Sequence, residues 1–200
     1  IEAPMGEKTV LLHTCCAPCS SAIIEAMMQN GITPVIYYCN PNIYPFEEYE
    51  IRKNECTRYA ESLGLEIVDD DYDHEGWLEA VKGLEDEPER GGRCLKCFKI
   101  RLLRTARYAQ SRGIKVITTT LASSRWKSLD QINEAGRWAC SQISGMPLGV
   151  VGSVRLGVDV SPVMFWEHNW RKGGLQERRL QIINEYGFYN QQYCGCEFSM

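Results

Sequence analysis

The chain has 200 residues, of which 44% are apolar and 24% are charged, and this composition is typical of one globular domain. No run approaches the ~18 consecutive apolar residues that a membrane helix needs, so a membrane span is excluded. The formal net charge is −4 at pH 7, so overall charge does not favour binding to a polyanion. We expect residues 1–4, which precede Met5, to be a tag remnant, and residues 5–200 to form a single α/β domain.

Strands and helices alternate along the chain. Residues 8–14 form an apolar run that predicts a strand, which a cysteine-rich loop separates from a helical spacing over residues 20–30. Residues 33–39 are rich in β-branched and aromatic side chains and predict a second strand, followed by a helix over residues 46–63. The remaining predictions are a strand at 65–69, helices at 77–81 and 94–110, a strand at 115–120, a helix at 129–143, an irregular segment at 144–157 and an apolar run at 162–166.

This alternation predicts a doubly wound, mostly parallel α/β sheet of the Rossmann-like class. In such a sheet the ligand site lies beyond the carboxyl ends of the strands. The loop after the first strand contains no glycine, so a glycine-rich phosphate-binding loop is not expected. The residues predicted at this edge are Cys15, Cys16, Cys19, Cys39, residues 69–73, Ser123 and Ser124.

The chain has ten cysteines and no recognisable export signal. Reducing cytosol keeps thiols free, so these cysteines favour metal or redox chemistry over a disulfide framework. Cys56 and Cys140 lie inside amphipathic helices and Cys39 follows two tyrosines, so we expect these three in the core. His13 falls within the first strand and is also expected in the core.

Two cysteine groups together could hold an iron–sulfur cluster. Cys94 and Cys97 are three residues apart at the start of a helix, where the helix dipole favours anionic ligands. With Cys15 and Cys16 they supply four thiolates, the usual ligand set of such clusters. Two alternatives remain open: a thioredoxin-type dithiol formed by Cys16 and Cys19, and a structural zinc held by cysteines that the fold brings together.

A third cysteine pair lies near the end of the chain. Cys194 and Cys196 are separated by one glycine. A disulfide with this spacing forms a small, strained ring, and strain makes a disulfide easier to reduce. The pair therefore suits redox chemistry, or it supplies two metal ligands.

Charge is distributed unevenly along the chain. Residues 66–89 contain eleven acidic side chains and one lysine, whereas residues 90–107 contain seven basic side chains and no acidic one. Trp126 lies between Arg125 and Lys127 on the predicted active edge, a combination that suits phosphates and unstacked bases. The basic stripe, defined here as Arg90, Arg93, Lys96, Lys99, Arg101, Arg104 and Arg107, is either a polyanion-binding surface or a solvated helix face.

The motifs HTCCAPCSS, GGRCLKCF and FYNQQYCGCEFS, with TTTLASS after the fourth strand, resemble the QueH family of epoxyqueuosine reductases. The resemblance covers nearly all of residues 9–199. It implies a cytoplasmic bacterial enzyme with a nucleotide-hydrolase-like α/β fold and a 4Fe–4S cluster. Its reaction would reduce the epoxide of epoxyqueuosine, at the wobble position of a tRNA anticodon, to the alkene of queuosine.

The resemblance implies roles for individual residues. The cluster ligands would be Cys15, Cys16, Cys94 and Cys97. Cys194 and Cys196 would be a redox pair or ligands to an additional iron, which Asp71 could also ligate. The residues expected to bind tRNA are Arg90, Arg93, Lys96, Arg101, Arg104, Arg125 and Lys127.

The implied reaction needs two electrons, two protons and removal of oxygen as water. Asp71, Asp73 and Tyr193 are the candidate proton donors, and the sequence does not identify the electron donor. The contrasting hypothesis is a zinc-held RNA-binding module without turnover. Brown protein with iron and acid-labile sulfide would favour the enzyme, and colourless protein with zinc alone would favour the module.

Overall fold

The computed structural model describes residues 1–144 and 162–199. These residues form a fold built on a five-stranded parallel sheet. The strands lie in the order β3-β2-β1-β4-β5, with β1 at the centre. Their bounds are Thr9–Thr14 (β1), Thr33–Tyr38 (β2), Ile67–Asp69 (β3), Val116–Thr119 (β4) and Met164–Phe165 (β5). The predicted irregular segment at 144–157 lies, apart from its first residue, outside the described residues.

The register explains why the strands are apolar and where they end. Leu11 of β1 pairs with Val35 of β2 on one side and Ile117 of β4 on the other. Central parallel strands are covered on both faces, which favours continuous apolar runs over alternation. At the carboxyl edge Thr14 pairs with Tyr38 and Tyr38 with Asp69. The loops that follow these strands therefore begin at one edge, and the doubly wound α/β prediction is confirmed.

Six helices among the described residues form two layers. They are α1 (Ala17–Gln29), α2 (Phe46–Ser62), α3 (His74–Val81), α4 (Gly92–Ser111), α5 (Leu129–Ile143) and α6 (Leu175–Tyr186). Helix α1 packs against α2 and α6, and α4 packs against α3 and α5. The two layers cover opposite faces of the sheet, as right-handed crossovers require. No helix in this described part combines the length and apolarity needed to cross a bilayer.

Three helices begin earlier than their apolar spacing predicts. Helix α3 starts at His74 because the Asp73 carboxylate accepts a 3.0 Å hydrogen bond from the Gly76 amide. Helix α4 starts at Gly92, whose amide donates to Glu87 at 2.7 Å. Helix α1 starts at Ala17 instead of Ser20, which places Cys19 inside its first turn.

Helix α6 was not predicted from the sequence. Ile182 is its one buried residue, and Leu180 is 58% exposed, so its apolar periodicity is weak. Gly174 and Gly187 bound the helix, and both have positive φ angles of 76° and 62°. These glycines were the available signal, because the left-handed conformation at a helix end favours glycine.

Candidate active site

A cavity of about 460 Å³ opens at the carboxyl edge of the sheet. Its walls come from the loops after β1 and β4, the start of α4 and the C-terminal segment, here residues 188–199. Four cysteines from three separate sequence motifs line it: Cys15, Cys19, Cys94 and Cys194. The fold therefore collects at one cavity thiols that are far apart in the sequence.

Three cysteines after β1 form a compact trio. The sulfurs of Cys15, Cys16 and Cys19 all lie within 4.8 Å of one another, and the Cys15 and Cys16 sulfurs are 3.8 Å apart. Cys19 was not in the predicted ligand set; it joins because α1 begins early and turns it back toward the loop. Within the described residues, Cys94 and Cys97 do not come close enough to join this trio.

The trio favours one thiolate. A hydrogen bond from Cys16, and a smaller contribution from one from Cys19, lower the pKa of Cys15 well below its usual value. The positive charges of Lys127 and Arg101 lower this pKa further. Burial raises the pKa of Cys16. The thiolate is the form that attacks electrophiles and binds metals, so the lowered pKa suits Cys15 to both roles.

The second cysteine group divides between two environments. Cys94 is half-buried in the cavity wall, where its sulfur accepts a 3.3 Å hydrogen bond from the Arg90 amide. Cys97 and Cys196 are buried in a small apolar cluster with Trp77. Burial raises the pKa of Cys97, and it raises that of Cys196 to about 11. These two thiols are therefore protonated in the metal-free protein at neutral pH.

Lys127 brings a positive charge among the cavity thiols. Its Nζ donates to the Cys194 sulfur at 3.5 Å. Burial alone would lower the pKa of Lys127, but attraction to Cys194, Cys15 and Cys19 outweighs burial and raises it. Arg171 donates to the Lys127 carbonyl at 2.8 Å and fixes this part of the backbone. The ammonium group is therefore charged and held in place.

The charged side chains of the cavity wall are mostly basic. One acidic residue, Glu89, lines the cavity among the described residues. Positive potential of this kind attracts anions, including thiolate-ligated clusters and phosphates. The basic residues that line it are Arg52, Arg90, Arg101, Arg125, Lys127 and Arg179.

Helix α2 holds the C-terminal segment over the cavity. Arg52 is 2% exposed and donates to the carbonyls of Cys194 and Tyr193 at 3.3 and 3.2 Å. The Tyr44 amide donates to the Gly195 carbonyl at 2.8 Å. Gly195 has a φ of +100°, and a Cβ there would lie 2.9 Å from an Ile43 side-chain carbon. The position therefore requires glycine.

The sequence matches one family along almost its whole length. The family model described as "Epoxyqueuosine reductase QueH" matches residues 10–149 and 153–200. The chain belongs to the QueH family. The QueH protein of Histophilus somni is 43% identical over 200 residues, which is all of this chain and 75% of that protein. Those of Haemophilus influenzae and Acinetobacter baylyi are 42% and 40% identical over all of this chain, covering 75% and 84% of their lengths.

The basic stripe of this QueH-family chain is partly structural. Arg93 and Arg101 are each 2% exposed. Arg93 donates to three backbone carbonyls between residues 84 and 87, and Arg101 bonds the Cys39 carbonyl and the Asn40 side chain. Burial and these hydrogen bonds give both guanidinium groups a structural role, so they do not favour the tRNA contacts predicted for these two arginines.

The other predicted tRNA-binding residues lie nearer the surface. Arg90, Arg125 and Lys127 line the cavity. Lys96 is exposed but does not line it. Arg104 makes a 2.6 Å ion pair with Asp70, away from the cavity wall.

The candidate proton donors occupy different places. Asp71 is exposed and does not line the cavity. The Asp73 carboxylate caps α3. Tyr193 lines the cavity, and its hydroxyl donates to the Tyr44 carbonyl. Lys127 is the one lysine among the described residues that line the cavity, and its ammonium lies beside the Cys194 sulfur, although the sequence indicated only phosphate binding for it.

The predicted core residues are confirmed. Cys39, Cys56 and Cys140 are all buried. His13 is fully buried between the Thr119 hydroxyl at 2.7 Å and the Cys39 carbonyl at 3.0 Å. Burial lowers the pKa of His13 to about 3, so its imidazole is neutral and belongs to the polar core.

Proposed function

We propose that this chain is an epoxyqueuosine reductase that acts on tRNA with an iron–sulfur cofactor held at the cavity. The observation that carries the proposal is one basic cavity that gathers thiols from all three cysteine motifs. Membership of the QueH family supplies the reaction, since the relatives bear that name. Queuosine biosynthesis is the process in which this reaction takes place.

The residues fit an iron–sulfur cluster. The sulfurs of Cys15, Cys16 and Cys19 lie within 4.8 Å of one another, and Cys94 lines the same cavity. The charged residues of the cavity wall are mostly basic, which suits a negatively charged, thiolate-ligated group. We propose Cys15, Cys16, Cys94 and Cys97 as ligands of a 4Fe–4S cluster, with Cys19 as the competing ligand. When bound, the cluster would supply electrons one at a time.

The net reaction breaks both carbon–oxygen bonds of the epoxide and forms a carbon–carbon double bond. Two electrons enter with two protons, and the oxygen leaves as water. A group in the cavity must therefore protonate the departing oxygen. We assign this role to Lys127, because its ammonium lies among the cavity thiols whereas the Asp73 and Tyr193 side chains are committed elsewhere. Although its pKa is raised, the ammonium is still a stronger acid than the alcohol that the departing oxygen would form. A fixed positive charge would also stabilise negative charge that develops on the oxygen.

Cys194 and Cys196 are proposed to serve as a redox pair between an unidentified electron donor and the cavity. Cys194 faces the cavity while Cys196 packs beside Cys97. Their alternative role is to hold an additional iron, and Asp71 stays a predicted ligand of that iron. Cys194→Ser and Cys196→Ser should each abolish turnover but leave most cluster iron in place. Loss of all iron from both variants would instead make the pair cluster ligands.

The proposal is tested with protein reconstituted anaerobically. Iron and acid-labile sulfide are measured, and tRNA containing epoxyqueuosine is digested after reaction to detect queuosine by mass spectrometry. We expect conversion by the wild type, loss of cluster and conversion in Cys94→Ser, and retention of both in the control Cys56→Ser. Colourless protein that carries zinc alone and binds tRNA without conversion would establish the binding module instead.

The dithiol alternative has its own outcome in the same experiment. A thioredoxin-like enzyme would need Cys16 and Cys19 but no iron. Turnover by iron-free protein that Cys19→Ser abolishes and Cys94→Ser does not would establish that alternative and overturn the cluster proposal.

A further inference from the structure

Trp126 is a large apolar side chain left in solvent at the cavity wall. It is 78% exposed, more than any other large apolar residue described, and it lines the cavity. Tryptophan is highly buried on average in folded proteins. Folding alone does not explain why this indole is exposed.

The backbone beneath the indole is held firmly. The Arg90 guanidinium donates to the Trp126 carbonyl at 2.9 Å and to the Arg125 carbonyl at 3.0 Å. The Arg90 carbonyl in turn accepts from Gln131 of α5 at 2.8 Å, and the Trp126 amide donates to the Ser124 hydroxyl at 3.3 Å. The exposed ring therefore stands on an ordered loop, and little backbone entropy is lost when a ligand covers it.

The surroundings of Trp126 indicate the chemistry of that ligand. Arg125 is exposed beside it, and Arg90 and Lys127 line the same wall. A docking site for a protein segment would be expected to surround the indole with apolar residues, whereas these neighbours are cationic. A flat aromatic ring among cations suits a nucleobase that stacks on the ring while its phosphates contact the charges.

We infer that Trp126 is a stacking platform for a nucleobase that flanks the modified nucleotide of the tRNA anticodon loop. The inference rests on the proposed function, because the modified nucleotide must enter the cavity beside Trp126. Loss of base stacking on this side chain makes the RNA affinity of Trp126→Ala roughly 5- to 150-fold weaker. Trp126→Phe keeps a stacking surface and retains most of the affinity.

The test uses the reconstituted protein and an anticodon stem-loop RNA with 2-aminopurine next to the wobble position. We expect wild type and Trp126→Phe to quench 2-aminopurine fluorescence on binding, and Trp126→Ala to bind more weakly without that quenching. Because stacking involves no charge, the salt dependence of binding stays unchanged in Trp126→Ala. Leu180→Ala, which removes an exposed apolar side chain outside the cavity wall, is the control and binds as the wild type does.

Two results separate this inference from the proposed function. Wild type that converts tRNA, with Trp126→Ala equal to it in affinity and quenching, overturns the stacking platform alone and would assign the exposed indole to a protein contact. Wild type that neither binds nor converts the tRNA overturns the proposed function. Equal thermal unfolding of wild type and Trp126→Ala shows that any loss of affinity is local.

Discussion

Lys127 is the residue on which the proposed chemistry depends most directly. Its ammonium lies 3.5 Å from the Cys194 sulfur in the cavity. Lys127→Met should lower the single-turnover rate of enzyme reduced beforehand by about 10²- to 10⁴-fold, the usual contribution of an acid catalyst. Iron content should not change, because a lysine is not a cluster ligand. Lys127→Arg keeps the charge but places it on a larger, planar group, so we expect it to bind tRNA normally and turn over slowly. A Lys127→Met enzyme with the wild-type single-turnover rate would transfer the proton-donor role to another group.

Cys19 distinguishes the two possible ligand sets. Its sulfur belongs to the trio with Cys15 and Cys16, yet the proposed cluster uses Cys94 and Cys97 instead. We expect Cys19→Ser to retain at least about three-quarters of the iron and sulfide per protein, whereas Cys15→Ser loses most of both because a hydroxyl binds soft iron poorly. Iron loss from Cys19→Ser equal to that from Cys15→Ser would place Cys19 in the ligand set.

The same cysteine shows what the sequence can predict at this scale. The spacing places a cysteine loop after the first strand, and the structure agrees. The position of Cys19 depends on where α1 begins, and the apolar spacing predicts that start three residues late. Helix ends are set by caps and local turns more than by periodicity. The sequence alone therefore could not predict that the three sulfurs lie together.

At the scale of elements, the C-terminal segment depends on a side chain of α2. Arg52→Met removes hydrogen bonds to two carbonyls of this segment and leaves its partner Glu48 buried without its 2.8 Å ion pair. We expect amide hydrogen exchange in residues 189–197 to become at least tenfold faster. Each lost charged hydrogen bond is worth about 1.5–3 kcal/mol.

Lys53→Met is the matched control, since Lys53 lies on the same helix but pairs with Glu50 and Asp69. It should leave exchange in residues 189–197 within about twofold of the wild type. Equal acceleration in both variants would mean that loss of charge on α2, not the Arg52 contacts, loosens the segment.

The sequence predicted the strands and the first five helices because their apolar faces are continuous and buried. It did not predict α6, which buries only Ile182. The sequence could not predict the Arg52 contacts either, since the residues that make them are 141 and 142 positions apart. Periodicity indicates local structure. Contacts between residues far apart in the sequence depend instead on how the helices and the C-terminal segment pack together.

For the whole molecule, tRNA binding should depend on a local positive surface because the chain is acidic overall. Contacts of three to five basic residues with phosphates would give a slope of roughly −2 to −4 for the logarithm of affinity against the logarithm of salt concentration. Arg125→Gln should reduce that slope by about 0.7. Fluorescence anisotropy with labelled anticodon stem-loop RNA, measured at several salt concentrations, checks this.

Lys82→Gln is the control for charge, because Lys82 is exposed and lies outside the cavity wall. Its slope should equal that of the wild type. Identical slopes for all three proteins would place the tRNA on another surface. The linear charge pattern overstated the number of exposed basic side chains, since α4 turns Arg93 and Arg101 inward while the sequence shows only that residues 90–107 are basic.

The cavity thiols after β1 are synthesised well before the segment that covers them. Gln191 donates to the Cys16 sulfur at 2.8 Å, although the two residues are 175 positions apart. A ribosome that adds about 5–20 residues per second needs roughly 9–35 seconds to make the second after the first. During that interval the thiols after β1 have no cover from residues 188–199. The nascent chain therefore passes through a stage in which these cysteines are open to oxidation and to binding of other metal ions, and it can cover them only after residues 188–199 have been made.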